Sequence, residues 1–198
     1  MLDEKTYLIY NIIDKQQILK LSEQEIPETE NNDSSTLVTV GRLSKEKGIA
    51  LACEVCHKLV EKGYPIQWFI CGERDERKRL EKMIRYYNIS EHFLLRNKEN
   101  PYSYIKKSDI YVQPFLHEGY CLTLAEARIL CKPIVSTDFS GAREQLGNNK
   151  GLIVNSDEES LINGIELLIS NEDIRLNYVR ELIKDSNESS SKSTINCI

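Results

Sequence analysis

The sequence of 198 residues predicts an α/β fold, a Rossmann-like three-layer sandwich built around a parallel sheet of about six strands. Short apolar runs rich in β-branched and aromatic residues alternate with segments whose apolar residues recur at helical spacing. This alternation continues from residue 36 to about residue 184. A repeated order of strand, helix and strand favours a parallel sheet whose two faces are covered by right-handed crossovers.

Each element follows from its local pattern. The run 108–114 is apolar with β-branched and aromatic residues, whereas 47–62 and 122–130 carry apolar residues at helical spacing. On this basis the predicted strands are 37–40, 66–71, 92–95, 110–113, 133–137 and 152–154. The predicted helices are 47–62, 73–87, 101–107, 122–131, 142–146, 158–170 and 172–183.

The chain divides into three unequal parts. Residues 1–35 contain one strand-like run, 7–10, followed by a polar stretch from Ser22 to Ser35 that is expected to be a linker. Residues 36–184 form the predicted α/β domain. Residues 185–198 are Ser-rich and lack periodicity, so we expect a disordered tail.

Composition excludes several classes of protein. With 31 acidic and 26 basic residues the net charge is -5, so no nucleic acid is expected as a partner, and an anionic ligand must be met by a few placed basic groups. No run approaches the ~20 apolar residues of a membrane span. The start of the chain lacks the basic and then apolar order of a secretion signal, so we expect a cytoplasmic location. The six cysteines are scattered mostly among apolar neighbours and are expected to be reduced.

One cysteine pattern matches a known attachment sequence. Cys53, Cys56 and His57 have the spacing of a c-type haem site. The same residues lie within the continuous amphipathic helix pattern of 47–62, and covalent haem attachment requires an exported chain. We therefore interpret the segment as a helix that faces the core, with His57 on its solvent side, and expect neither haem nor zinc.

Two glutamates carry the strongest functional signal. Glu118 follows the predicted strand 110–113 in a loop, and Glu126 lies about one turn into the next helix. In parallel α/β sheets this edge binds ligands, because helix N-termini there present N–H groups and a positive dipole end to anions. A pair of carboxylates beside an anion site suits a sugar attached to a phosphate.

Two further loops lie at strand ends. The loop Gly41–Gly48 has a glycine at each end and three basic side chains, and it could grip a diphosphate through the planar fork of Arg42 and the ammonium of Lys47. A solvated surface turn is the alternative. The loop 137–144 contains Ser140 and Gly141, which could serve to cap the next helix.

Taken together in this order, the segments resemble the C-terminal, donor-binding half of retaining glycosyltransferases of the group 1 family (family 4), which have the GT-B fold. The matching residues are Gly41-Arg42-Leu43 with Lys45-Glu46-Lys47-Gly48, Asn100-Pro101-Tyr102, Ser108-Asp109, Glu118-Gly119-Tyr120 with Glu126-Ala127, and Pro133 to Asp138 with Gly141 and Glu144. The likeness covers residues 7–183, and residues 8–14 resemble the interdomain segment of that family.

The resemblance implies a role for each residue. Arg42 and Lys47 would neutralise the diphosphate, Glu118 would lie against the donor sugar, and Glu126 would bind the ribose hydroxyls. Further donor-binding positions implied by the resemblance are Gly41, Arg96, Asn97, Gly119, Tyr120, Cys121, Leu122 and Thr123. Arg96 and Asn97 fall where the family grips the base. This chain has Tyr120-Cys121 where the family often has Phe-Gly or Phe-Pro, and it has Arg96 in place of a glycine.

The resemblance also implies an activity. We expect metal-independent transfer from a nucleotide sugar, with UDP favoured, to a glycan or lipid-linked acceptor that brings the full enzyme to the inner face of a membrane. No Asp-x-Asp pair occurs, so no metal site and no cofactor are expected. The family's N-terminal acceptor domain has no counterpart in this sequence, so the chain should bind donor without transferring sugar. Alternatives are a non-catalytic nucleotide-sugar-binding module, a subunit that completes a site in trans, or half of a GT-B epimerase.

Overall fold

The computed structural model describes residues 13–26, 34–97 and 100–195. In this part of the chain six strands form one sheet in the order β3-β2-β1-β4-β5-β6, and every neighbouring pair is parallel. The strands are β1 (Ser35–Val40), β2 (Ile66–Cys71), β3 (Phe93–Arg96), β4 (Ile110–Gln113), β5 (Ile134–Thr137) and β6 (Leu152–Val154). The predicted Rossmann-like fold is therefore confirmed.

Helices cover both faces of the sheet. They are α1 (Lys15–Ser22), α2 (Ile49–Glu61), α3 (Arg77–Tyr86), α4 (Pro101–Lys107), α5 (Leu122–Ile129), α6 (Ser140–Leu146), α7 (Glu158–Ser170) and α8 (Glu172–Ile195). The core between the sheet and α2, α3 and α7 contains Leu37 and Trp68. The core on the opposite face, beneath α4, α5 and α6, contains Val38 and Phe69. Successive residues of a strand supply opposite cores because their side chains point to opposite faces.

The strand order reverses direction at β1. Chain crossovers lead from β1 to β2 on one side, whereas β4 lies on its other side, and ligands of open α/β sheets bind at such a switch point. The loops meet closely there. A Cβ atom on Gly48, which has φ 61°, would lie 1.8 Å from the Pro114 carbonyl oxygen, and one on Gly72 would lie 1.9 Å from that of Gly41. Only glycine fits at these two contacts.

The first 35 residues differ in part from the prediction. Residues 15–22 form a helix that the sequence pattern did not predict, and it buries Ile18 against the rest of the domain. Its first turn is capped by the Asp14 carboxylate, which accepts a hydrogen bond from the backbone N–H of Gln17 at 2.9 Å. The strand-like run 7–10 and residues 27–33 of the expected linker lie outside the described residues.

The expected disordered tail is wrong as far as residue 195, because α8 continues through this segment. Asp185 fixes the start of the extension: its carboxylate accepts hydrogen bonds from Arg128 Nη2 on α5, at 2.6 Å, and from Lys150 Nζ, at 2.5 Å. This segment is polar and lacks apolar periodicity, so its sequence gives a weak helix signal. None of the helices in the described ranges is both long and apolar enough to cross a bilayer.

The Cys53-x-x-Cys56-His57 segment lies in α2 as expected. Both cysteines are fully buried, and burial raises the pKa of the Cys53 thiol to about 12 and that of Cys56 still further. The ring of His57 stacks on that of Tyr87 with 4.6 Å between centroids. The interpretation as a helix that packs on the core is confirmed. Across the described part of the chain, no three His, Cys, Asp or Glu side chains are grouped closely enough to hold a metal ion.

Candidate functional site

Two adjoining cavities open at the edge where the sheet strands end. The larger, with a volume of about 680 Å³, is called here the Glu126 cavity, and the smaller, with a volume of about 400 Å³, is called the Lys47 cavity. Gly41, Arg42 and Thr123 line both of them. The two cavities therefore form one continuous cleft between the loops that follow β1 and β4.

The loop after β1 brings two cations to this cleft. Gly41 packs so closely on Phe115 that a Cβ atom would lie 2.8 Å from its ring. Arg42 projects outward, with a side chain 55% exposed and an Nη2 atom 3.8 Å from Glu46 Oε1. Lys47 ends a short 3-10 turn, Lys45–Lys47, and is turned inward. Arg42 is thus largely exposed to solvent, whereas Lys47 is held in a buried position.

Lys47 is held by two partners. Its ammonium lies 4.1 Å from the centroid of the Phe115 ring and forms a salt bridge with Glu118 Oε2. The side chains of Lys47 and Glu118 are only 10% and 25% exposed. A cation between a ring face and a carboxylate retains N–H donors for a further anion, because an ammonium has three of them.

The loop from Glu118 to α5 presents backbone N–H groups. The Glu118 carboxylate accepts a hydrogen bond from the N–H of Gly119 at 3.0 Å. The N-cap residue of α5 is Cys121, which has φ 56° and makes no side-chain capping bond. The first N–H groups of a helix have no partner within the helix, so this end suits an anion. Burial raises the pKa of the Cys121 thiol, whose sulfur lies 3.4 Å from Thr123 Oγ1.

Glu126 is half-buried in the larger cavity. The hydroxyl of Tyr102, in the first turn of α4, donates a hydrogen bond to Glu126 Oε1 at 3.1 Å. Loss of solvent raises the pKa of Glu126, and this hydrogen bond opposes part of the rise. Burial, and then the neighbouring carboxylate, raise the pKa of Tyr102 to about 12. Glu126 is thus a carboxylate with a neutral partner and a high affinity for further donors.

The structure brings most of the predicted site residues together. The predicted residues that line the two cavities are Gly41, Arg42, Lys47, Glu118, Tyr120, Cys121, Leu122, Thr123 and Glu126. Gly119 lines a neighbouring cavity that also contacts Glu118. Arg96 and Asn97 are not among the lining residues: the Arg96 guanidinium lies 5.4 Å from the Phe69 ring centroid, and Asn97 is exposed beyond the end of β3.

Sequence reasoning missed several lining residues, among them four with charged or aromatic side chains. Glu73 and Arg74 follow β2, and Phe115 follows β4, so the rule that selected the loop after β1 applies to them as well. Tyr102 belongs to a segment quoted for the family resemblance, but no role was assigned to it. Its contact with Glu126 joins residues 24 positions apart, which no local pattern reveals.

In parallel α/β sheets, a cleft with cations and a helix N-terminus at the strand ends suits an anionic ligand. Residues 22–185 match the family described as "Glycosyl transferases group 1". Because this match covers most of the chain, the chain belongs to the group 1 glycosyltransferases.

Curated relatives support the same family. The chain is 29% identical over 179 residues to the N-acetylgalactosamine-N,N'-diacetylbacillosaminyl-diphospho-undecaprenol 4-alpha-N-acetylgalactosaminyltransferase of Campylobacter jejuni, a match covering 88% of this chain and 47% of that protein. It is 27% identical over 149 residues to the capsular polysaccharide biosynthesis glycosyltransferase CapM of Staphylococcus aureus, covering 73% of this chain and 39% of CapM. The chain spans less than half the length of these relatives.

Solved structures share the fold. TarM of S. aureus, crystallised in complex with UDP among other ligands, superposes with a TM-score of 0.70 at 22% identity over 87% of this chain and 36% of TarM. The trehalose-6-phosphate synthase OtsA superposes with a TM-score of 0.75 at 17% identity over 94% of this chain and 50% of OtsA. The α/β domain is therefore of the type found in GT-B glycosyltransferases.

Proposed function

We propose that this chain binds a nucleoside-diphosphate sugar, with a UDP-sugar preferred, as donor for retaining glycosyl transfer without a metal ion. The supporting observation is the continuity of the cleft, in which a half-buried carboxylate and a pair of cations lie in adjoining cavities. The ribose occupies the Glu126 cavity, and the diphosphate lies beside Arg42 and Lys47. The sugar lies against Glu118.

Charge development in the reaction supports this arrangement. Breaking a glycosyl-phosphate bond builds negative charge on the leaving diphosphate and positive charge on the sugar carbon. Arg42, Lys47 and the N-terminus of α5 stabilise the leaving group, so the basic loop takes the part that Mg²⁺ plays elsewhere. The carboxylate of Glu118 stabilises the sugar cation. Both charges are then met by groups that already line the cleft.

The salt bridge between Lys47 and Glu118 couples the two halves of the reaction. In the unliganded protein each group neutralises the other. A donor diphosphate competes for the ammonium, and the sugar hydroxyls and the positive carbon compete for the carboxylate. The intact donor provides a new partner for both Lys47 and Glu118, whereas the nucleotide alone provides one only for Lys47. The donor is therefore expected to bind more tightly than the nucleotide.

The relatives support a wider role in cell-surface polysaccharide or glycolipid synthesis. The name of CapM places it in capsular polysaccharide biosynthesis, and that of the Campylobacter relative includes a lipid-linked acceptor. For this chain we propose a glycan or lipid-linked acceptor, bound on a further N-terminal domain, and a location of the full enzyme at the inner face of the membrane. This chain alone binds donor and does not transfer sugar.

A panel of nucleotide sugars tests the proposal. Thermal unfolding is followed with UDP, GDP and ADP sugars, each with and without EDTA, because a ligand at about 100 times its Kd stabilises the native state by ~2.7 kcal/mol. We expect the largest rise in Tm with a UDP sugar and no effect of EDTA. If none of the nucleotide sugars raised the Tm, the proposal would be refuted. Sugar transfer by this chain alone would refute the need for a second domain. A larger rise with a GDP sugar would correct the base.

A further inference from the structure

Gln145, on α6, lies directly behind the loop that leads into α5. Its side chain is almost fully buried, with 2% of the residue exposed. Its Nε2 atom donates hydrogen bonds to two successive backbone carbonyls, that of Tyr120 and, at 3.2 Å, that of Cys121. A carboxamide supplies two N–H donors, so one side chain holds both carbonyls.

These two bonds fix the direction of two backbone N–H groups. In a trans peptide the carbonyl and the following N–H point in opposite directions, and no peptide bond in the described residues is cis. The Tyr120 carbonyl shares its peptide with the N–H of Cys121, and the Cys121 carbonyl shares its peptide with the N–H of Leu122. Both N–H groups therefore point away from Gln145. On that side lies the Lys47 cavity, which Cys121 and Leu122 line.

The loop does not hold this conformation by itself. Cys121 has φ 56°, in the left-handed region that disfavours residues other than glycine, and its side chain makes no capping bond to α5. The start of α6 presses on the loop from behind, since a Cβ atom on Gly141 would lie 2.0 Å from the Gly119 carbonyl oxygen. The position and orientation of the loop are thus set from α6.

Gln145 carries an energetic cost as well as its two donated hydrogen bonds. Among the described residues, Gln145 Oε1 is buried and has no hydrogen-bond partner. A buried polar atom without a partner destabilises the fold, and an apolar side chain of similar shape would avoid that penalty but would take the Nε2 donor away from the two carbonyls. The donor capacity of Nε2 is what the position requires.

We propose that Gln145 is a positioning residue that aims the N–H groups of Cys121 and Leu122 at the diphosphate in the Lys47 cavity. The inference rests on the proposed function, because the diphosphate is the ligand of that cavity. Two N–H groups on one anion form charge-assisted hydrogen bonds, which depend steeply on direction. Without Gln145 the two peptides rotate, and the diphosphate loses these donors while the nucleoside keeps its contacts.

The test is calorimetric titration of the full chain with UDP and with uridine. Gln145→Met keeps the size of the side chain and removes the donors, so we expect UDP affinity to fall about tenfold and uridine affinity to stay unchanged. Gln145→Leu, which is also apolar and unable to donate, should show the same selective loss. Leu146→Ala, which removes a buried neighbour on α6, serves as the control for destabilisation and should leave the ratio of the two affinities unaltered.

The outcomes separate this inference from the proposed function. Equal loss of UDP and uridine affinity in the Gln145 variants, or unchanged UDP affinity in both, would overturn the positioning role. If the wild-type chain binds UDP no more tightly than uridine, the proposed function and the inference both fail. A tenfold selective loss in both variants with an unaltered ratio in Leu146→Ala would establish the positioning role.

Discussion

Glu118 and Glu126 differ in what they contact, although seven residues separate them in one segment. The partner of Glu118 is the ammonium of Lys47, whereas the partner of Glu126 is the neutral hydroxyl of Tyr102. A carboxylate paired with a cation becomes available to accept hydrogen bonds from a ligand when an anion displaces it from that cation. A half-buried carboxylate with a neutral partner keeps its charge unneutralised and attracts ligand hydroxyls. The Glu126 carboxylate can therefore accept ligand hydroxyls directly. In the Lys47 cavity the ion pair between Lys47 and Glu118 must first be replaced by contacts with the ligand.

The largest expected effect comes from removing the cation of the Lys47 cavity. Lys47→Ala should weaken UDP binding by ~1.5 to 3 kcal/mol, or roughly 10- to 150-fold, through the loss of a charge-assisted contact at a largely buried position. Arg42→Ala should act in the same direction but less, because its side chain is 55% exposed. The control is Lys45→Ala, an exposed neighbour in the same turn that lines a different cavity. Calorimetry showing equal UDP affinity in all variants would remove the diphosphate site.

A second expected effect concerns the Glu126 cavity. Glu126→Gln keeps the hydrogen bond from Tyr102 but removes the negative charge, so UDP affinity should fall about tenfold while pyrophosphate binding is little altered. The pKa of Glu126 is raised, so the wild-type carboxyl takes up a proton as the pH falls through that raised value, and UDP affinity should fall with it. The glutamine variant should lack this step. Titrations from pH 7 down to pH 4.5 that give parallel profiles for both proteins would contradict the assignment.

A smaller effect of opposite sign is expected at Glu118. Glu118→Gln removes the competitor of the diphosphate for the Lys47 ammonium, so UDP alone should bind more tightly, by up to ~5-fold if the partly exposed ion pair contributes ~1 kcal/mol. The same variant should lose the preference for a UDP sugar over UDP, since the sugar no longer meets a carboxylate. Competition binding with the two ligands measures both. Weaker UDP binding in this variant would show that partner exchange does not occur.

The smallest expected effect is on the stability of the loop that contains Cys121. Cys121 adopts a left-handed conformation that glycine tolerates, so Cys121→Gly should be more stable than Cys121→Ala by ~1 kcal/mol. Both variants lose the buried thiol, so they differ only in the backbone freedom of glycine and in one buried methyl group, which favours alanine. Chemical denaturation provides the free energies of unfolding. An alanine variant as stable as the glycine variant would show that the loop changes conformation when the thiol is removed.

Most of the sheet could be predicted because buried parallel strands have continuous apolar sequences. The segments 66–71, 110–113 and 152–154 were predicted with both ends correct, and β3 is displaced by one residue because it ends on the polar Arg96. The helix α1 escaped prediction because eight residues provide too few turns for a clear period. The extension of α8 escaped it because a polar, Ser-rich segment without apolar periodicity resembles a disordered segment in sequence.

The sequence predicts which loops form the site, but it does not predict which side chains contact each other there. Strand-end position and helix starts brought Arg42, Lys47, Glu118 and Glu126 into consideration, and the structure places all of them around one cleft. Their pairing depends on tertiary packing: 71 positions separate the partners of the Lys47 salt bridge, and 24 separate Gln145 from Cys121. The resemblance, in which the family often has Phe-Gly or Phe-Pro where this chain has Tyr120-Cys121, does not reveal the φ of 56° at Cys121, because proline cannot adopt it.

The central claim is that one ligand spans both cavities, with its ribose at Glu126 and its diphosphate at Lys47. A crystal structure of this chain with UDP tests it most directly. We predict the two ribose hydroxyls within hydrogen-bond distance of the Glu126 carboxylate, and phosphate oxygens within that distance of the Lys47 ammonium and the N–H groups of Cys121 and Leu122. UDP bound elsewhere on the chain, or bound with its base at Lys47 and its phosphates at Glu126, would contradict the claim.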